Sequence, residues 1–411
     1  MKYKKCISIL IFLFTIFSLY TNVYAESKSN EPTISSGSAI LIENSTSKVL
    51  YQKDSDLRIE PASITKIMTA ILTIENGHLN DVVTVPADAI SSIPAGYSIA
   101  DLKANEQLTV DQLLQLLMVH SANDSANVLA FYIDGSIEAF ANRMNQKLNE
   151  LGLQNSHFVN PSGMHDENHY SNAHDIAFLM QYCLKNSTFK RYSGLKSCKI
   201  PATNLSGERF FNNTNSMLSN NSPDYYPYIT CTKTGFTSQA KYCVVSSASK
   251  NNMDCICVIL SADTSSARFE DSKTLFEYGF SNFAFKDIVV KGSIATQVEI
   301  PNATDDTKFL DLVLADNISV LTNVNLSTDS ITPQITLKDL PIAPIAQHKV
   351  LGYATYYIDG SSYTVDLIAS HDVMVSTSKT YYLQIVLLVF VVITLIFVLF
   401  WNTKGHKEKT K

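Results

Sequence analysis

Charge is scarce in this sequence: of 411 residues only 17% are Asp, Glu, Lys or Arg, and the net charge is −6. With a pI near 5.9 the chain has no basic field to hold a phosphate backbone, which excludes nucleic acid as a partner. Glycine and proline are few, 14 and 12, excluding collagen and linker character. Tryptophan occurs once, but 20 Tyr and 20 Phe exclude a disordered chain. Seven cysteines with no C-x-x-C pair are too few for a stapled miniprotein of this length and wrongly spaced for zinc. Apart from Cys6 near the N-terminus they are Cys183, Cys198, Cys231, Cys243, Cys255 and Cys257, an even number that permits disulfides. Cys255 and Cys257 nevertheless alternate as core residues of an apolar strand do, so free or incidentally paired thiols are expected. What is abundant is apolar surface: 45% hydrophobic residues in a chain long enough for two domains.

The few charges are unevenly placed. Lys2, Lys4 and Lys5 precede the apolar run 7–19, and Val23-Tyr24-Ala25 puts a small residue at a cleavage position, so 1–25 reads as a cleaved secretory signal peptide. Residues 383–401 are uncharged and, at about 1.5 Å per residue, can cross a bilayer core of about 30 Å. Tyr381, Tyr382 and Trp401 stand at interfacial positions, and Lys404, Lys407, Lys409 and Lys411 follow. The reading is one transmembrane helix, 383–401, with a cytoplasmic tail, 402–411, and everything between the signal and the span outside the cell membrane.

Between these ends, 26–37 is Ser- and Asn-rich and is expected to be a flexible lead. Runs 39–43 and 49–53 flank a turn-forming 44–48, predicting a β-hairpin. From Pro61, Ile64, Ile67, Met68 and Ile71 recur at helical spacing, and Gly77 can end the helix. Thr109-Val-Asp-Gln112 is a capping box opening a leucine-rich helix from Leu113 to Val119. Helical patterns continue over 137–150, ended by Gly152, and over 172–185; 228–236, 241–248 and 254–260 read as strands, and 268–278 as a helix stopped by Gly279. Strands at both ends with helices between them predict an α/β (α+β) domain over 38–285, one sheet closed by both chain ends. Short Val/Ile/Thr runs over 286–375 predict a small all-β domain, and 376–382 a polar spacer before the span.

Three motifs carry chemistry. Ser63-Ile-Thr-Lys66, at the start of the first long helix, puts a hydroxyl and an amine on one helix face. Serine needs a base to become a nucleophile, and lysine serves only if burial or another cation lowers its pKa. Alone the pattern is weak, since Ser45/Lys48, Ser187/Lys190 and other pairs repeat it. Ser121-Ala-Asn123 follows the leucine-rich helix, with Ser125-Ala-Asn127 and Ser219-Asn-Asn221 as decoys. Lys233-Thr234-Gly235 occurs once, on a strand, followed by Phe236 and Thr237; glycine there lets a ligand backbone lie close, and lysine supplies charge. S-x-x-K, S-x-N and K-T-G in this order, starting at 63, 121 and 233, form the signature set of penicillin-binding proteins and serine β-lactamases. His165 and His169 stand four apart, but the H-E-x-x-H order is missing and their neighbours read as loop, so neither a metal nor a cofactor is expected.

The chain resembles the low-molecular-mass penicillin-binding proteins, specifically the serine D-alanyl-D-alanine carboxypeptidases of peptidase family S11. Pro61-Ala-Ser-Ile-Thr-Lys-Ile-Met-Thr69 looks like that family's active-site helix. Phe158-Val-Asn-Pro-Ser-Gly163 with His169-Tyr-Ser171 resembles one of its loops, and Lys233-Thr-Gly-Phe-Thr237 with Ala267-Arg-Phe-Glu-Asp271 its final strand and helix. The likeness covers about residues 35–285, and the β module is similar in placement to the family's C-terminal sandwich. It implies the penicillin-binding and serine β-lactamase-like transpeptidase fold, an antiparallel sheet with helices packed on it. It also implies that Ser63 attacks the carbonyl between two D-alanines, with Lys66 as base and Ser121 relaying protons to the leaving group. Asn123 would bind the substrate backbone and orient Lys66, while Lys233 would help to keep Lys66 neutral. Backbone N–H groups of Ser63 and Phe236 would form an oxyanion hole, Thr234 and Arg268 would grip the terminal carboxylate, and Gly235 and Thr237 would complete the substrate-binding strand. The implied partners are peptidoglycan stem peptides, β-lactam antibiotics as covalent inhibitors, and the membrane through the C-terminal helix.

This sequence departs from the family in Ala122, where glycine is usual, in His120, where proline is common, and in a spanning rather than amphipathic anchor. Two other functions compete. A class A β-lactamase adds a deacylating glutamate about 36 residues beyond S-x-N, where this chain has His157. A non-catalytic penicillin-binding sensor or scaffold would show broken motifs, and none of the three is broken.

Overall fold

The computed structural model describes residues 31–328, 331–376 and 378–407; the expected signal peptide and the last four residues of the expected tail lie outside the described residues. The chain divides into two compact units, Met1–Ser281 and Asn282–Lys411.

The first unit is built on a five-stranded antiparallel sheet. Strands β1 (Ser38–Glu43) and β2 (Val49–Lys53) form the expected hairpin. The buried Glu43 carboxylate holds its turn by accepting from the backbone N–H groups of Ser45 and Thr46, at 3.0 and 2.7 Å. Two small hairpins follow, β3 (Val82–Thr84) with β4 (Gln107–Thr109) and β5 (Ser197–Ile200) with β6 (Arg209–Asn212). Strands β7 (Ile229–Thr237), β8 (Lys241–Lys250) and β9 (Met253–Ala262) complete the sheet in the order β2-β1-β9-β8-β7, so both ends of the unit's sequence meet in it and β7 lies at an edge.

Both faces of the sheet are covered, which is why β9 reads as a continuous apolar run. On one face Ile40, Ile42, Ile256, Val258 and Leu260 join the large core shared with the helices. The helix Lys66–Asn76 sits at the centre of that core, buried from Lys66 to Thr73. Around it lie Val110–Gln115, Asn123–Asp134, Ile137–Glu150, Ala173–Cys183 and Ser187–Ser193, the last without a clear periodic signal. The capping box forms: the Thr109 hydroxyl accepts from Gln112 N–H, and the Gln112 side chain accepts from Thr109 N–H. On the other face lies Ser265–Asn282.

Three expectations need correction. The first long helix does not begin at Pro61; Ala62–Thr65 form a 3₁₀ turn and the α-helix starts at Lys66. Gly279 does not stop the last helix, which runs on to Asn282. A Cβ at Gly279 would stand 2.8 Å from Leu41 Cδ2, so the glycine serves close packing of helix on sheet. Finally, the lead is not free as far as residue 37. Ile34 and Ser36 are buried, and the Asp271 carboxylate accepts from the N–H groups of Ser35 and Ser36, at 3.1 and 2.8 Å, and from both hydroxyls.

The second unit is all-β up to its last helix. Strand β10 (Phe283–Val289) pairs with β13 (Ile318–Asn323). Strands β11 (Ile294–Glu299), β12 (Phe309–Leu314), β14 (Gln334–Leu337), β15 (Val350–Ile358) and β16 (Ser361–Ala369) form an antiparallel sheet in the order β11-β12-β16-β15-β14. Alternate residues, such as Leu310, Leu312 and Leu314 of β12 and Val365, Leu367 and Ala369 of β16, meet Val289 and Val320 of the smaller sheet in one core. The helix Ser378–Lys407 follows; its segment Tyr381–Trp401 is long and apolar enough to cross a membrane, with none of it covered by protein.

All six described cysteines are buried and unpaired. Burial pushes the Cys198, Cys231 and Cys243 thiols up to about 11 and holds Cys183, Cys255 and Cys257 well above the ordinary thiol range.

Asp271→Ala would leave the buried donors of Ser36 unpaired, at a cost of about 1–3 kcal/mol. A lowered denaturant midpoint is expected, with faster proteolysis of the segment before Ser38. Unchanged values of both would show that the lead is held by other contacts.

Candidate active site

The 3₁₀ turn decides where Ser63 points. In such a turn residues three apart eclipse, bringing the Ser63 hydroxyl directly above the Lys66 amine, at 2.7 Å. Ala62 takes a left-handed backbone, φ 48°, to enter the turn. The carbonyl of Ala62 is braced from behind by Gly163, where any Cβ would come within 1.8 Å of it. Gly235 plays the corresponding part on β7: a Cβ there would lie 2.9 Å from Pro61 O and 3.1 Å from Ser63 N, so only glycine lets the strand run this close to the nucleophile turn.

Lys66 is fully buried. Its amine reaches Asn123 Oδ1 at 2.7 Å and the Ser162 carbonyl at 2.6 Å as well as Ser63. Burial first, then the neighbouring Lys233 charge, push it well below the usual lysine range; Asp124 opposes them weakly. Asn123 Oδ1 and Ser162 O can only accept, so they take two N–H bonds. In the neutral amine the lone pair is what remains for Ser63. The geometry thus presents a base to a hydroxyl without moving any atom.

Ser121 closes a π turn, Leu116–His120, that ends the capping-box helix, and it has a left-handed backbone, φ 62°. Its hydroxyl accepts from Lys233 Nζ at 2.9 Å. Lys233 is itself buried, and burial followed by the Arg268 charge lowers it to about 7. The next residue after Asn123, buried Asp124, accepts from the N–H groups of Ala100 and Leu102 at 2.9 and 3.1 Å, while Asn123 N–H donates to Ser98 O at 2.8 Å. These bonds hold the 96–102 loop against the S-x-N segment.

A cleft of about 290 Å³ opens over these groups, lined by Ser63, Ser121, Asn123, Thr234, Gly235, Phe236 and Arg268 of the expected residues. Gly96, Tyr97, Ser98 and Thr214 line it too, without having been singled out by sequence. The Thr214 and Thr234 hydroxyls are 2.6 Å apart; with one bond between two O–H groups, one proton stays free for a ligand. Phe236 is exposed and its ring lies 4.4 Å from that of Tyr242. Arg268 is buried against the strands, donating to Gly235 O at 3.2 Å and Cys243 O at 3.3 Å, with its buried Nε lacking an acceptor among the described residues. Burial lowers it to about 10. Thr237 stands apart: its hydroxyl accepts from Ala240 N–H at 2.9 Å and closes the β7–β8 turn.

His165 and His169 of the 157–171 loop serve different ends. His165 pairs with Glu60 at 2.8 Å. His169 is buried; its Nδ1 accepts from Val159 N–H, which leaves Nε2 to donate to Thr65 Oγ1 at 2.8 Å, and Thr65 passes the chain on to Ala62 O. A run of three hydrogen bonds therefore ties the loop carrying Ser162 to the turn carrying Ser63. The Ser162 carbonyl could not be found from motif spacing, because any residue type supplies a carbonyl.

The family described as D-alanyl-D-alanine carboxypeptidase, peptidase S11, matches residues 25–264, and the penicillin-binding protein 5 C-terminal domain matches 283–376. The chain is similar to D-alanyl-D-alanine carboxypeptidase DacF of Bacillus subtilis, 31% identical over 365 residues, 87% of this chain and 91% of that one. Among solved structures it is similar to penicillin-binding protein 5 of Haemophilus influenzae, at TM-score 0.64 and 26% identity, covering 84% of this chain and 99% of the other. It is also similar to the Streptomyces K15 DD-transpeptidase, at TM-score 0.57 and 30% identity, covering 61% and 99%.

Burial, more than any other influence, holds His169 at about 3 against an ordinary 6.5. Below 6.5 the unfolded chain takes up a proton that the folded chain refuses until about 3, so stability is full above 6.5 and falls as pH drops through that window. His169→Gln keeps one donor and one acceptor without titrating. The melting temperature of this variant should depend less on pH between 3 and 6.5 than that of the parent; parallel curves would mean that His169 charges in the folded state.

Proposed function

The chain belongs to the peptidase S11 family and is a serine-type D-alanyl-D-alanine carboxypeptidase, and we propose that it releases the terminal D-alanine of peptidoglycan stem pentapeptides through an acyl-enzyme on Ser63. The observation that supports Ser63 most is the buried Lys66 amine, whose two obligate acceptors turn its remaining valence to the Ser63 hydroxyl. In this reading Lys66 takes the hydroxyl proton as Ser63 Oγ bonds to the carbonyl carbon between the two D-alanines. Backbone N–H groups of Ser63 and Phe236 hold the oxyanion. Ser121, fixed by Lys233, relays that proton from Lys66 to the departing D-alanine amine as the C–N bond breaks; water then attacks the ester with the again neutral Lys66 as base, and its proton returns to Ser63 Oγ as the acyl C–O bond breaks. Asn123 keeps Lys66 oriented and binds the substrate backbone. Thr234, backed by Thr214, and Arg268 hold the carboxylate that distinguishes a chain end from an internal bond. A β-lactam enters the same site as an acyl donor. Family membership supports this reading over a β-lactamase or a non-catalytic sensor.

The placement proposed is outside the cell: 1–25 a cleaved signal peptide, 38–285 the catalytic domain, 286–375 the sandwich, and one span with the tail 402–411 in the cytoplasm. The apolar, uncovered segment Tyr381–Trp401 and the lysines behind it support this orientation.

Penicillin should label Ser63 covalently, and Ser63→Ala should lose the label while staying folded. Mass spectrometry of a pentapeptide ending in D-Ala-D-Ala should show loss of one alanine with the parent alone; labelling that persisted in the variant, or mapped to Ser121, would overturn the assignment. Arg268 gives a second test. A charge-assisted bond contributes about 1.5–3 kcal/mol, so Arg268→Ala should slow the free-acid substrate roughly 10- to 150-fold and the C-terminal amide far less. Equal losses would make Arg268 a brace for Gly235 and Cys243 rather than a carboxylate ligand.

A further inference from the structure

Single exposed apolar side chains are ordinary, but several gather at one end of the second unit. The β15–β16 hairpin has its turn at Asp359-Gly360. The loops 300–308, 338–349 and 370–376 meet at the opposite end, stitched by Ile345 N–H to Val373 O at 3.1 Å, Val373 N–H to Ile345 O at 2.8 Å, and Thr304 N–H to Met374 O at 3.0 Å. From this end project Leu340, 84% exposed, Ile342 at 57% and Met374 at 60%, while Pro341, Ile345 and Val373 between them are buried. The apolar residues therefore stand on an anchored base.

The chain itself says what lies next to them. Only five residues lie between Val375 and Tyr381, where the apolar segment starts, a reach of about 20 Å at full extension and less because the helix begins at Ser378. On so short a tether the local concentration of the bilayer surface is high, and weak apolar affinity suffices. Asp305, Asp306, Asp339 and Asp372 alternate with Lys308, Lys338 and Lys349 in the same loops, so no single-sign field selects an anionic partner.

We propose that Leu340, Ile342 and Met374 form a foot that inserts shallowly into the lipid bilayer, standing the second unit on the membrane with the Asp359-Gly360 turn pointing away. The foot rests on the reading that Tyr381–Trp401 spans that bilayer. Contact is apolar, so it should form on zwitterionic lipid and persist in high salt.

The test uses the full chain in phosphatidylcholine vesicles, with Trp401, the sole tryptophan, replaced by Trp401→Phe. Leu340→Trp is placed at the foot, and Tyr357→Trp, at a position 64% exposed near the opposite turn, serves as control. Lipids brominated near the headgroup should quench Leu340→Trp at least about twofold more than the control and blue-shift its emission. The parent chain, carrying Trp401, reports the span separately. Quenching of Trp401 with Leu340→Trp no more quenched than Tyr357→Trp would overturn the foot alone. Absence of Trp401 quenching in chains recovered with the vesicles would overturn the span and the foot with it.

Discussion

An amine removed from water must have every bond supplied by protein, and Lys66 obliges three remote segments to converge on one nitrogen. The 3₁₀ turn brings Ser63, the start of the helix Asn123–Asp134 brings Asn123, and the 157–171 loop brings the Ser162 carbonyl, all within 2.7 Å. Part of the unusual backbone in the first unit serves that convergence. Ala62, Ser121 and Gly163 have positive φ angles, and Gly235 gives up a side chain for contact with the turn. Strained non-glycine backbone costs of order 1–3 kcal/mol per residue, and the contiguous core spanning Ile40 to Leu260 offsets it. Desolvation, which makes Lys66 expensive to bury, is also what frees its lone pair. Stability is thus given up at the point where reactivity is gained.

The sequence is readable wherever chemistry is local. Thr109 and Gln112 announce a helix start because each satisfies the other's backbone donor, and the 44–48 turn is written in its own side chains. β9 shows as an apolar run because both its faces are covered. The K-T-G motif sits where expected because glycine is needed at Gly235 by sterics alone. Legibility fails where tertiary contacts overrule local preference. Gly279 looks like a helix stop, yet the sheet beneath it demands a residue without Cβ. Pro61 looks like a helix start, yet Gly163 and β7 press the next residues into a tighter turn.

The site was legible as residue types and less so as geometry. Ser63, Lys66, Ser121, Asn123, Lys233, Thr234, Gly235, Phe236 and Arg268 converge. Thr237, adjacent in sequence, turns to its own hairpin. Thr214 and Tyr97 carry no spacing signal because their importance arises from where distant loops cross. Ser162 contributes a carbonyl that any side chain would have allowed. His169, which stands in the sequence as part of a family-like loop, is a link in a hydrogen-bonded chain from Val159 to Ala62.

The six buried thiols have a consequence of their own. None is cross-linked, so no covalent staple masks how the fold opens. A thiol-modifying reagent meets Cys255 or Cys257 only when the central strand β9 leaves the sheet, and Cys198 only when the β5–β6 hairpin lifts. Where reclosing outpaces modification, each rate reports the population of one opening, scaled by the reactivity of the thiol exposed. The wild-type chain thus holds six silent probes, distributed from the rim of the catalytic unit to its middle, that map which part of the enzyme breathes and how often, with no residue changed.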